Sequence, residues 1–169
     1  MQGVFESGDL TDLVGVKPIY LTKFVERRLY GIRPSAKKGK GRGKRRHFRL
    51  DDVYGVALVW WLFESGFRSQ AIQYILNQIV HSRRADANTA AKKLIETGAR
   101  LLVIRRKPRS VREQTAQYPR QWVDIMGERE ASKLLSADLV VSVQVLPVGD
   151  LFSNLKKSIK SLQLSEQGD

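Results

Sequence analysis

The run VYGVALVWWLF, residues 53–63, constrains the fold more than any other part of the chain. Val53, Val56, Ala57, Trp60, Trp61 and Phe63 spread apolar surface over most sides of a helix rather than along one stripe. Such a helix belongs at the centre of a domain, with other elements packed around it. At 11 residues the run is too short to cross a bilayer, which takes about 20 residues. Asp51 and Asp52 stand where a helix start favours carboxylates, which explains them better than a catalytic pair does, and Gly66 closes the segment. The helical spacing assigns Trp60 and Trp61 to core packing rather than to ligand stacking.

Shorter amphipathic segments surround this helix. SGDLTDLVGV predicts a helix capped by Ser7 or Asp9, with Leu10, Leu13 and Val14 on one face and Gly15 at its end. KPIYLTKFVERRL follows, with Pro18 suited to a first turn. Its inner face is Leu21, Phe24, Val25, Arg28 and Leu29; Ile19, Tyr20, Lys23 and Arg27 fall largely on the other. Two short helices joined at a glycine form a helix-turn-helix. The outer face carries donors suited to phosphates or base edges. Lys17, at the helix start, suits a phosphate. RSQAIQYILNQIV predicts a helix from Ser69 with Ile72, Ile75, Leu76 and Ile79 inward.

Beyond His81 the pattern changes. ADANTAAKKLIETG reads as a helix ended by Gly98, and RLLVIRRKP as a strand over about residues 100–106. A helix is expected over about residues 121–135. DLVVSVQVLPVG alternates as a strand over about residues 139–146. DLFSNLKKSIKSL reads as a terminal amphipathic helix capped by Asp150 or Ser153. The expected division is residues 5–80 and 84–165, the second a small α+β module of unassigned role, dimerisation or effector binding being the two options.

The charge is unevenly placed. The net formal charge is +13, and a polyanionic partner is the usual reason for such an excess. Two patches hold it, residues 37–49 and 83–109. The first, SAKKGKGRGKRRHFRL, has four lysines, four arginines, three glycines and no acid. The second includes Arg100, Arg105, Arg106, Lys107, Arg109 and Arg112. It has three readings: an extended nucleic-acid footprint, a site for an acidic partner, or charges that guard an edge strand against aggregation.

The ordered set DLTDLVGVKPIYLTKF, the basic stretch ending RHF, RLDDV, VALVWWLFESGF and RSQAIQYIL resembles the DNA-binding domain of the MerR family of bacterial regulators. The resemblance covers about residues 5–80. Thr22 stands where that family usually has an arginine, Tyr20 where it has a small residue, and Phe48 in place of the wing tyrosine; the glycine-rich stretch is longer and more basic. The resemblance implies a winged helix-turn-helix, in which the basic stretch is a β-ribbon wing beside the second helix and Phe48 anchors it to the core. The overall expectation is a mostly α protein with a small α+β C-terminal part. The expected DNA contacts are Lys17, Tyr20, Thr22, Lys23 and Arg27 from the helix, and Lys37, Lys38, Lys40, Arg42, Lys44, Arg45, Arg46 and Arg49 from the wing. The long dimerisation helix of that family is not evident, since HSRRADANT interrupts it.

Other chemistries find little in the sequence. There is no cysteine, so disulfides and thiolate metal sites are excluded. His47 and His81 have no second ligand at metal spacing. No nucleophile–base pair or phosphate loop is present, so neither an enzyme nor a cofactor is expected. The acidic first residues do not form a signal peptide, and a cytoplasmic protein is expected. Three functions are open: a dimeric, sequence-specific regulator of transcription on double-stranded DNA; a nucleoid-associated, plasmid or phage accessory protein that coats DNA; and an adaptor whose basic patches take acidic partners or RNA.

Overall fold

Leu50–Glu64 forms one helix, and nine of its fifteen residues are buried. The computed structural model describes residues 4–34, 46–106, 121–126 and 142–165. Over these the chain runs β1 (Val4–Glu6), α1 (Ser7–Val14), α2 (Pro18–Glu26), a 3-10 turn (Leu29–Gly31), β2 (His47–Arg49), α3 (Leu50–Glu64), α4 (Ser69–Val80), α5 (Ala87–Glu96), β3 (Leu101–Arg106), β4 (Gln121–Met126), β5 (Ser142–Leu146) and α6 (Val148–Ser165). The protein is mostly helical with a small β part in two sheets.

The central helix is enclosed from several directions. α5 lies along it, α1 and α6 cover another side, and α4 joins at its end. Gly55 is the reason α5 comes so close: a Cβ there would fall 2.1 Å from Asn88 Oδ1 and 3.0 Å from the Asn88 backbone nitrogen. α4 buries Ile72, Ile75, Leu76 and Ile79, the stripe its periodicity predicts. α6 buries Val148, Phe152, Leu155 and Ile159, again at helical spacing. The buried side chains form one cluster that includes Phe5, Val56, Ala91, Leu102 and Ile159.

Both small sheets are antiparallel. β1 pairs with β2, with Phe5 opposite Phe48 and Glu6 opposite His47. Phe48 is fully buried and Phe5 nearly so. Each strand runs straight into a helix. At the first junction the Glu6 N–H donates to Asp9 Oδ2 at 2.6 Å; at the second the Arg49 N–H donates to Asp52 Oδ2 at 2.7 Å. A carboxylate three residues into the helix satisfies a backbone donor at each start. The second sheet has the order β4-β3-β5.

Several local expectations are corrected. Asp9 caps α1 from its third position and Ser7 is its first residue, so neither is the N-cap. Residues 121–126 are a strand, not the start of a helix, because Gln121–Met126 pairs along the whole of β3; the rest of that expected helix lies outside the described residues. Among the described strands β3 lies between β4 and β5, so it is not the edge strand that one reading of the second basic patch supposed. α6 begins at Val148, two residues before Asp150. There a Cβ at Gly149 would lie 3.1 Å from the Arg100 Cα, and the Gly149 N–H donates to the Arg100 carbonyl at 3.0 Å.

Candidate nucleic-acid interface

α2 begins and ends as its sequence dictates. Pro18 fills the first helical position, where its missing N–H removes nothing. Gly15, at φ 73°, turns the chain between α1 and α2. Leu21 and Phe24 are buried and hold the helix to the core. The outward face carries Ile19, Lys23 and Glu26, all exposed, with Thr22 half-buried beside them. Lys17 and Arg27 are exposed at the two ends. Ile19, at 60% exposure, is the outward residue that charge-based reasoning passed over; its helical position was the available signal.

Tyr20 is placed differently from a free surface residue. Its ring packs 5.1 Å from Phe63 and 5.4 Å from Trp60, centroid to centroid. The Lys23 ammonium lies 5.4 Å from the centroid of the same ring, within the range of a cation–π contact. Tyr20 thus braces α2 against α3 and positions Lys23. Trp60 is buried and stacks on Phe63. Trp61 is half-buried and lines a 430 Å³ pocket with Leu13, Leu151 and Leu155.

Arg46 and Arg49 are the described members of the basic stretch. Lys37, Lys38, Lys40, Arg42, Lys44 and Arg45 lie outside the described residues. Arg49 is exposed at the end of β2. Arg46 reaches back to Glu26 at 3.3 Å, an exposed ion pair between the strand's approach and α2. In the second patch, Lys107, Arg109 and Arg112 also lie outside the described residues. Arg100 sits just before β3.

A second basic feature begins where α2 ends. Arg28, Arg33, Arg83 and Arg84 line one 760 Å³ cleft, together with Tyr30, Gly31, Asp52, Gln73, Ala85, Asp86 and Asn88. Arg28 (φ 49°) and Tyr30 (φ 55°) both adopt the left-handed conformation, as does Gly31 (φ 71°). For a non-glycine residue that conformation costs about 1–2 kcal/mol. Gly31 has a second constraint: a Cβ there would lie 2.3 Å from the Asp86 Cβ. Tyr30 is buried, and burial raises its hydroxyl pKa above the usual value, partly offset by a hydrogen bond with Ser69. Arg83 and Arg84 belong to the basic patch at residues 83–109, whereas acids in residues 1–33 nearly cancel Arg28 and Arg33 and hid their half of the cleft.

Among the described residues no group of three or more His, Asp or Glu side chains is arranged to hold a metal ion. No helix among them is long and apolar enough to cross a membrane. No protein-family model matches the chain, and no curated protein matches it significantly.

Proposed function

We propose that this protein binds double-stranded DNA as a transcriptional regulator, through a winged helix-turn-helix of the MerR type over about residues 5–80. The observation that carries the reading is the outward face of α2. Lys17, Lys23 and Arg27 are exposed on a helix held from behind by Leu21, Phe24 and the Tyr20–Trp60–Phe63 cluster. A stretch with eight basic side chains and no acid leads from its neighbourhood into β2. Rigid presentation is what base readout needs, while cationic contacts to phosphates supply affinity without sequence preference.

On this reading α2 enters the major groove. Lys23 and Arg27 take phosphates or guanine edges, Ile19 contacts a thymine methyl, and Thr22 supplies a hydroxyl. The Tyr20 hydroxyl is positioned by its packed ring. Lys37, Lys38, Lys40, Arg42, Lys44, Arg45, Arg46 and Arg49 neutralise backbone phosphates. Each phosphate so neutralised adds about −0.9 to the slope of log affinity against log salt. A homodimer reading two half-sites raises specificity, and β5, at the edge of its sheet among the described residues, is the strand available for pairing across a two-fold axis.

The test is selection of bound fragments from random and genomic duplex pools at low and physiological salt. An enriched palindrome that survives physiological salt is the expected result. Binding at low salt without enrichment would favour the coating, accessory role. Absence of duplex binding at either salt overturns the reading.

A further inference from the structure

We propose that the cleft lined by Arg28, Arg33, Arg83 and Arg84 is a second phosphate-binding surface, which takes the DNA backbone alongside the segment read by α2. The inference rests on the duplex reading of α2 and extends its footprint to the α4–α5 turn, some 50 residues further along the chain (Arg33 to Arg83).

Four observations carry it. The four arginines come from two separate turns and line one cleft. All four residues are exposed, and none has an ion-pair partner among the described residues. The cleft also holds two carboxylates, Asp52 and Asp86, so four guanidinium side chains against two acids leave a formal excess of two positive charges. Asp52 accepts from the Arg49 N–H and from Asn88 Nδ2; Asp86 accepts from the Thr89 N–H at 2.7 Å and the Thr89 hydroxyl at 2.9 Å. The carboxylates' hydrogen bonds hold them to the Arg49 and Thr89 backbone and to Asn88, not to the four arginines of the cleft, and a cationic excess gathered in a concave site focuses a field that draws in an anion.

The turn itself supplies the third observation. Arg28 holds a left-handed conformation that glycine or asparagine adopts at less cost. An arginine in such a place is explained by its side chain, not by its backbone. The fourth is position. Arg28 lies two residues beyond the last residue of α2, so an anion in the cleft adjoins one bound along that helix. Arginine suits the task because its planar fork grips phosphate oxygens in pairs.

The test measures affinity of the full chain for a random-sequence duplex between about 50 and 200 mM salt. The variants are Arg83→Gln with Arg84→Gln, Arg28→Gly, and Lys23→Ala as the marker of α2. The paired substitution is expected to reduce the salt slope by about 1.8, two phosphates' worth, and to leave any selected motif unchanged. Arg28→Gly is expected to reduce it by about 0.9 while raising the melting temperature, since glycine relieves the turn. Opposite movement of stability and affinity separates a binding role from a structural one. Unchanged slopes in the cleft variants, with Lys23→Ala still lowering affinity, overturn the cleft and leave the α2 reading standing. Failure of the unaltered protein to bind duplex overturns both. Saturable binding of inorganic phosphate or a mononucleotide that duplex does not displace would overturn it as well, by making the cleft a small-anion site.

Discussion

Asn88 donates a 2.6 Å hydrogen bond from Nδ2 to Asp52 Oδ1, joining the first turn of α5 to the first turn of α3 across 36 residues. Asp52 is 6% exposed and also caps the backbone of Arg49. One carboxylate therefore fixes the end of β2, the start of the central helix and the docking of α5. The Asn88 Oδ1 atom is buried without a hydrogen-bond partner among the described residues, pressed toward Gly55.

Gly55→Ala is expected to destabilise the protein by about 1–3 kcal/mol through overpacking. Asn88→Ala alone should cost about 1.5–3 kcal/mol, the range for a hydrogen bond to a charged group. The double variant should lose less than the sum, because the side-chain collision disappears while the backbone contact at 3.0 Å remains. Equilibrium denaturation of the four proteins measures the coupling; strict additivity would show that the two residues do not compete for space.

Phe48→Ala is expected to cost about 3–5 kcal/mol, the range for removing a fully buried aromatic ring. Phe5→Ala should cost less after Phe48 is already gone, since the two face each other across the sheet. Denaturant midpoints read both effects.

Tyr20 separates its two roles by substitution. Tyr20→Ala removes the ring that packs on Trp60 and Phe63 and should lower the melting temperature. Tyr20→Phe keeps the ring, so stability should hold. A loss of duplex affinity in Tyr20→Phe would assign the hydroxyl to DNA; unchanged affinity would leave Tyr20 as a brace alone.

Glu26→Gln should strengthen duplex binding. The substitution removes an acid from the exposed face of α2 and frees Arg46 from its 3.3 Å partner. The stability change should stay below about 1 kcal/mol, as for other exposed ion pairs. Titration of one duplex with both proteins at matched salt gives the answer, and weaker binding by the variant would contradict it.

Alkaline pH should weaken the fold through two tyrosines. Burial raises the Tyr30 pKa above 10.0, against the opposing Ser69 hydrogen bond; burial raises that of Tyr54 too, and the nearby Asp51 charge adds to it. The folded state thus favours the protonated rings. Their contribution is fully present below about pH 10 and is lost as pH rises through the folded values. Tyrosinate absorbance should show two late-ionising groups, one of them absent in Tyr30→Phe.

Helix existence was legible wherever burial followed the helical period. Ile72, Ile75, Leu76 and Ile79 announce α4, and the all-round apolar surface of residues 53–63 announces a central helix. The first strand was not legible, because Val4–Glu6 is three residues long and its partner lies more than forty positions away. The strand over residues 121–126 was missed for a related reason: QWVDIM carries a weak pattern of its own, and pairing with β3 determines it. In the candidate site, Lys17, Lys23 and Arg27 followed from spacing on α2. The packing of Tyr20 did not, since it depends on where Trp60 and Phe63 meet the helix. Nor did the arginine cleft, which joins Arg83 and Arg84 of the second basic patch to Arg28 and Arg33, distant in sequence and masked by nearby acids in a local sum of charge.

The pairing of β1 with β2 has a consequence for how this chain tolerates change. The chain between the two strands is closed at its base, where Phe5 faces Phe48. Once a loop is anchored at its base, doubling its length costs only about 0.6 kcal/mol in closure entropy. Insertions and deletions within the lysine- and arginine-rich segment are therefore expected to cost the core little. The number of lysines and arginines in that segment can thus change while the paired strands and the helices behind them stay as they are.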